Sequence, residues 1–314
     1  MTKMTISDTA KWLREHDDYL IITHRRPDGD TLGSAAALAC ALQAIGKSAY
    51  LLPNPDTTPR YAPFIERFLA PEGYHEEWII SADIATPSLF PTNIGEDWLI
   101  DLSVDHHASN TGYAARTLCD PTLAACGELV FELVSQLTEI TAEMATLLYI
   151  AVVTDTGCFS FENTTANTFE VAAKLVQSGA DSATLNRTFF RSKSRGRIAI
   201  EGTLLSNLQY FFDDSCAIVY ISDAMVAAAN ATTDDLENLA AIPLAIEGVR
   251  FGALIRDLDD GERKVSLRSN GTVNVSDVSA RFGGGGHRAA AGFTSTASAA
   301  ELTAQLLAAV EDFL

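Results

Sequence analysis

The sequence predicts an α/β protein in which a mostly parallel sheet flanked by helices is joined through a helical linker to a smaller α+β C-terminal domain. Three features predict this. The length of 314 residues suits two domains that each bury a core. The first half alternates short β-rich runs with helix-length apolar stretches, and beyond a helical stretch near 165–197 strands predominate.

Residues 19–23 (YLIIT) form the first β-rich run, which leads through a Pro-Asp-Gly loop into an Ala-rich helix at 32–45 that Gly46 stops. Further strands are expected at 49–53, 78–82, 98–104 and 115–118, and helices at 126–137 and 142–153. Helical pattern then runs from 165 to about 197, with Gly179 between two helices. The chain therefore divides into a first domain at 1–185, a linker at 186–200 and a second domain at 201–314. In the second domain 216–222, 249–257 and 264–269 read as strands, and 223–230 and 298–313 as helices.

Composition narrows the function. Hydrophobic residues at 47% and charged residues at 20% are those of a globular protein. The longest apolar stretches, 35–45 and 145–153, fall short of the ~20 residues a bilayer requires. The charged N-terminus shows no secretory signal, so a cytoplasmic location and no membrane partner are expected. Cys40, Cys119, Cys126, Cys158 and Cys216 are odd in number and far apart, and read as small core residues. A net charge of −19 opposes binding of long nucleic acid but leaves short phosphorylated ligands open. The basic run Arg187, Arg191, Lys193, Arg195 and Arg197 reads as a solvated helix face in preference to a phosphate-steering patch.

Four segments concentrate metal-ligating side chains. His24-Arg25-Arg26-Pro27-Asp28-Gly29-Asp30 lies where a strand ends and a helix begins, the place where open α/β sheets gather ligands. Its imidazole and two carboxylates suit a divalent ion, although Pro-Asp-Gly-Asp is also a turn signature. Asp83 ends a β-rich run, where a helix cap is the plain alternative. Asp105-His106-His107 ends another strand, placing adjacent imidazoles where one can ligate while its neighbours orient ligands or meet substrate. Asp155 follows an apolar run and needs a partner, either a cation or the hydroxyls of flanking threonines. A fifth segment, Gly283-Gly284-Gly285-Gly286-His287, suits either a flexible loop or a backbone N–H nest for an anion.

HRRPDGD, the Asp83 strand end, DHHASN and VVTDTG, in that order, resemble the four motifs of the DHH phosphoesterase superfamily. The segment VSLRSNGTVNVSDVSARFGGGGHRAAAGF resembles the DHH-associated domain of its nanoRNase and pAp phosphatase branch, so the likeness covers about residues 20 to 293. The resemblance implies metal ligands His24, Asp28, Asp30, Asp83, His106 and Asp155, with Asp83 bridging two divalent cations. Mn²⁺ is the leading candidate, with Mg²⁺ or Co²⁺ as substitutes. It implies catalytic roles for Asp105 and His107, His107 lying beside the scissile phosphate, and substrate contacts from Asn110, Arg268, Ser269, Gly284, Gly285, Gly286 and His287.

The implied activity is two-metal hydrolysis of 3′-phosphoadenosine 5′-phosphate, of RNA a few nucleotides long, or of both. A cyclic dinucleotide (cyclic di-AMP) or the linear pGpG is the runner-up substrate. A nucleotide-binding regulator without turnover is the rival of another class, disfavoured because the ligand set is complete. Oligomeric state, including a homodimer, stays open.

Overall fold

A computed structural model describes residues 2–95, 98–258 and 261–314. They divide into two units, Met1–Ser192 and Lys193–Leu314, and the division falls inside the stretch expected to link the two halves.

The first unit holds six strands, β1 (Thr2–Lys3), β2 (Tyr19–Ile22), β3 (Ala49–Leu51), β4 (Trp78–Ala82), β5 (Leu102–Asp105) and β6 (Arg116–Cys119). Their order in the sheet is β1-β6-β5-β4-β2-β3, and every pair is parallel. A parallel sheet covered on both faces needs continuous apolar strands, and all four residues of β2 are buried. From β2 the chain crosses to β3 on one side and later to β4 on the other. That reversal opens a crevice beyond the carboxyl ends of β2 and β4.

The helices of this unit are α1 (Ile6–Glu15), α2 (Gly29–Ala44), α3 (Ala62–Ile65), α4 (Cys126–Leu137), α5 (Ala142–Asp155), α6 (Ala166–Gln177) and α7 (Ser182–Asn186). Side chains of Thr5, Asp28, Thr141, Thr165 and Asp181 cap their N-termini by accepting backbone N–H bonds. Helix α2 is buried on all sides until its last turn, as its unbroken apolar composition requires. It lies hard against α5. A Cβ on Gly29 would sit 2.4 Å from Thr154 Oγ1, and one on Gly33 2.4 Å from the Leu147 carbonyl oxygen. Gly127 on α4 meets α5 in the same way, 2.5 Å from Ala151 Cβ. Three glycines thus draw α2 and α4 onto α5, and the ends of these helices carry candidate site residues.

The second unit builds another six-stranded sheet from β7 (Gln209–Phe211), β8 (Cys216–Ile221), β9 (Phe251–Asp257), β10 (Arg263–Ser269), β11 (Gly285–Gly286) and β12 (Ala290–Ser295), in the order β11-β12-β10-β9-β8-β7. Only β8 and β9 pair in parallel. Its helices are α8 (Arg195–Ser206), α9 (Asp223–Ala228), α10 (Val275–Ala280) and α11 (Ala299–Val310). Leu302 and Leu306 of α11 pack with Phe251, Val265 and Leu267 of the sheet, while Ile200 and Leu204 of α8 pack with Val219 and Leu254.

Several expectations shift. The strand expected at 98–104 is ordered only as Leu102–Asp105. Trp98 and Ile100 instead pack beside Ile84 and Ala114. Helix α2 starts at Gly29, ahead of the expected Leu32, because the Asp28 carboxylate caps the N–H groups of Asp30 and Thr31. In the basic run, Lys193 and Arg197 both pair with Glu201, a surface ion network on α8. Cys40, Cys126 and Cys216 are buried, Cys119 and Cys158 partly so, and all five are free thiols. Among the described residues no helix is long and apolar enough to cross a membrane.

Gly33→Ala forces a methyl group into the Leu147 carbonyl and should destabilise the first unit by about 1–3 kcal/mol. Gly202→Ala on α8, where an added Cβ meets nothing within 4 Å, should stabilise by about 0.5–1 kcal/mol. Urea unfolding of the two variants beside wild type checks both signs.

Candidate metal centre

Four segments reach the crevice from different elements. His24 follows β2, Asp28 and Asp30 open α2, Asp83 follows β4, Asp105 ends β5 with His106 and His107 next in sequence, and Asp155 ends α5. Asp83 has a positive φ of 60°, a left-handed conformation uncommon for a residue with a Cβ, and its N–H is held by the Val104 carbonyl at 2.8 Å. That bend leaves the side chain 4% exposed.

The donor atoms form three overlapping groups, His24 with Asp28 and Asp83, Asp30 with His106 and Asp155, and Asp83 with His106 and His107. His24 Nε2 lies 3.5 Å from Asp28 Oδ1 and 3.9 Å from Asp83 Oδ2. His106 Nε2 lies 3.8 Å from Asp30 Oδ2, 3.5 Å from Asp83 Oδ1 and 3.6 Å from Asp155 Oδ2. These separations are too long for hydrogen bonds and suit donors arranged around a cation. Asp83 faces both sides, with one oxygen toward His24 and the other toward His106.

Supporting contacts orient the imidazoles. His106 Nδ1 bonds the Leu123 carbonyl at 3.1 Å and His24 Nδ1 the Arg25 carbonyl at 3.0 Å, so each ring donates from Nδ1 and turns the lone pair of Nε2 toward the carboxylates. Asn54 Nδ2 donates to the His24 carbonyl at 2.9 Å and to Thr23 Oγ1 at 3.0 Å. Asp30 accepts the Cys126 N–H at 2.7 Å and the Gly127 N–H at 2.9 Å, which fastens α4 to the start of α2. Asn163 Nδ2 donates to the Asp155 carbonyl at 3.1 Å.

The electrostatics ask for positive charge. Burial, reinforced by neighbouring carboxylates, pushes Asp30 and Asp83 well above the ordinary carboxylate range. Asp155 is raised too, by burial, with its electrostatic interaction with the His106 ring opposing. Among the described residues Asp83 Oδ1 is buried without a hydrogen-bond partner, an arrangement that costs free energy unless a cation meets that oxygen. The residues present therefore fit a pair of divalent ions.

Asp105 and His107 adjoin this cluster, with His107 Nδ1 3.5 Å from Asp83 Oδ1. Asp105 Oδ1 accepts His107 Nδ1 at 2.7 Å, and Oδ2 accepts Asn110 Nδ2 at 2.6 Å. The Asp105 bond raises the His107 pKa against the opposing effect of burial. With Nδ1 engaged, Nε2 is the nitrogen left for other partners, and the side chain is 41% exposed. Asn110 thus braces Asp105 in this structure.

The C-terminal candidates gather in the second unit. Arg268 and Ser269 end β10 beside the hairpin of β11 and β12, whose tip carries His287. Arg268 pairs in register with Ala290, and the Ser269 N–H bonds the Ala289 carbonyl at 3.0 Å. Ser269 Oγ accepts the N–H groups of Gly271 and Val273, which shapes the turn after β10. The glycine run folds into a turn and a short edge strand. Gly283, Gly284 and His287 spend their N–H groups on the carbonyls of Ala280, Ser279 and Ala290, and Gly285–Gly286 pairs as an edge strand. A Cβ on Gly284 would meet the Gly292 carbonyl oxygen at 2.4 Å, and one on Gly286 would meet Ala291 Cα at 2.5 Å, so close packing explains these two glycines.

Sequence reasoning missed Asn54, Asn163 and the N–H pair of α4. Isolated asparagines and backbone groups carry no pattern by which to find them.

The DHH family N-terminal domain model matches residues 18–152, and the DHHA1 domain model matches residues 213–314. A bifunctional oligoribonuclease and PAP phosphatase NrnA of Thermus thermophilus is 34% identical over 278 residues, covering 87% of this chain and 83% of that protein. An exopolyphosphatase-related protein from Bacteroides fragilis has the same fold, with a TM-score of 0.87 at 24% identity over 98% of this chain and 96% of that one. Exonuclease RecJ bound to manganese shares it more loosely, with a TM-score of 0.55 at 15% identity over 100% of this chain and 95% of that one.

In chelator, Asp83→Asn should melt above wild type, because it removes a buried charge among like charges. Its rise in melting temperature on adding MnCl₂ should be smaller than that of wild type. Differential scanning fluorimetry reads both, and a variant with a lower melting temperature and an undiminished rise would remove Asp83 from the cation site.

Proposed function

The chain belongs to the DHH family of phosphoesterases, and from that premise we propose that it hydrolyses RNA fragments of a few nucleotides and 3′-phosphoadenosine 5′-phosphate, with two divalent cations, Mn²⁺ first among them. The observation that carries the cation reading is Asp83, shared between two donor groups and holding a buried oxygen with no other partner. The substrate class rests on the likeness to the Thermus thermophilus NrnA, which extends over 87% of this chain.

In this reading His24, Asp28 and Asp83 would hold one ion and Asp30, His106 and Asp155 the other, with Asp83 within reach of both donor groups. Bound there, the ions would supply charge neutralisation at phosphorus and lower the pKa of an attacking water. His107, oriented by Asp105, presents Nε2 to the leaving-group oxygen and gives it a proton as the phosphorus–oxygen bond breaks. The water oxygen becomes bonded to phosphorus and its proton passes to solvent. Asn110 keeps Asp105 aligned and is assigned here as a positioning residue with access to substrate. Arg268, Ser269 and His287, on the end of β10 and the hairpin tip, are proposed to grip the terminal nucleotide or phosphate, with Gly284 and Gly286 letting that hairpin pack closely and Gly285 exposed between them.

A panel of 3′-phosphoadenosine 5′-phosphate, RNA of two to five nucleotides, cyclic di-AMP and pGpG with Mn²⁺ tests the substrate class. The first two should dominate in kcat/KM, whereas dominance of a cyclic dinucleotide or pGpG, or no turnover at all, would overturn it. Asp155→Asn should lower kcat at least about 100-fold, equivalent to roughly 2.7 kcal/mol of transition-state stabilisation. Near wild-type turnover in metal-replete buffer would remove Asp155 from the centre.

A further inference from the structure

We propose that Arg25 and Arg26 form the grip for a second phosphate of the substrate, the one that is not hydrolysed. This inference rests on the phosphoesterase reading above and adds a specificity site to it.

Both arginines are exposed, and they occupy the two positions between His24 and Pro27, within one short loop bounded by the candidate ligands His24 and Asp28. The loop backbone is tightly held. The Arg25 N–H bonds the Leu89 carbonyl at 2.7 Å, the Arg25 carbonyl meets His24 Nδ1, and the preceding His24 carbonyl accepts from Asn54. Arg26 adopts φ 56°, a left-handed conformation that costs about 1 kcal/mol or more for a residue with a Cβ. Asn or Gly would relieve that cost, so local stability does not call for arginine here.

Among the described residues nothing uses the two guanidinium groups. The carboxylate partners of Arg67, Lys193, Arg197 and Arg263 are Glu143, Glu201 and Asp257, whereas Arg25 and Arg26 have no ion-pair or hydrogen-bond partner for their side chains among the described residues. That is notable beside a crevice lined by Asp28, Asp30, Asp83, Asp105 and Asp155, in a chain of net charge −19.

Charge accounting gives the pair a task. Five ionised carboxylates carry −5, two divalent cations would supply +4 and a protonated His107 +1, so the crevice holds no surplus positive charge before any substrate arrives. The scissile phosphate would face the ions, and a second phosphate on the same nucleotide would find no positive charge left over for it. Two guanidinium groups on a rigid loop supply it, in the planar donor geometry that suits phosphate oxygens. The ligand class is therefore a nucleotide or short oligonucleotide carrying at least two phosphates.

The test compares kcat/KM for 3′-phosphoadenosine 5′-phosphate with kcat/KM for bis-p-nitrophenyl phosphate, which has one phosphate, in wild type and in Arg25→Ala/Arg26→Ala with Mn²⁺. The ratio is internal to each preparation, so partial misfolding cancels. It should fall at least tenfold in the variant, and the wild-type ratio should fall as NaCl is raised, with a flatter dependence in the variant. An unchanged ratio, including equal loss on both substrates, would overturn the second-phosphate grip while leaving the phosphoesterase reading intact. Absence of turnover on both substrates by the wild type would instead defeat that underlying reading and this inference with it.

Discussion

Like charges forced together govern this structure. Asp28, Asp30, Asp83 and Asp155 come from three elements and face one crevice, with Asp30 and Asp83 almost wholly withdrawn from water. Such a cluster is unfavourable in isolation, because burial and mutual repulsion both act against its ionised form. Two features make it tolerable. The N-terminal N–H groups of α4 meet Asp30, and the imidazoles of His24 and His106 stand between the carboxylates with their lone pairs turned inward. What remains unsatisfied, above all Asp83 Oδ1, is the part a divalent cation would complete.

The rest of the first unit serves to hold these groups in place. A parallel sheet with a reversal between β2 and β4 provides the crevice, and the glycines of α2 and α4 let three helices approach until Asp30 lies within reach of Asp155's neighbour His106. Local strain collects at the same place. Arg26 and Asp83 have left-handed backbones, as do Cys158 and Phe159 just after Asp155. Residues with a Cβ adopt such conformations where surrounding contacts over-determine them, and these lie within four positions of a candidate ligand.

Much of the site was legible because its residues occur at strand and helix ends in compact motifs. His24, Asp28 and Asp30 fall within seven positions, and Asp105, His106 and His107 are consecutive. The sheet was legible for a related reason, since buried parallel strands such as YLII and WIISA are short apolar runs with few other readings. One departure has a physical cause. The apolar run near Trp98 resembles a strand, but Trp98 and Ile100 are spent on a side cluster with Ile84 and Ala114.

The sequence by itself determined the chemistry on offer, the order of the elements and the family likeness, because residue identity and apolar spacing are local properties of the chain. Only the tertiary structure decided that Asp83 stands between two donor groups, that Asp105 braces His107, and that the guanidinium groups of Arg25 and Arg26 have no partners among the described residues. Those facts depend on which side chains from distant segments meet and on which polar atoms water can no longer reach. Spacing along a chain encodes neither of these.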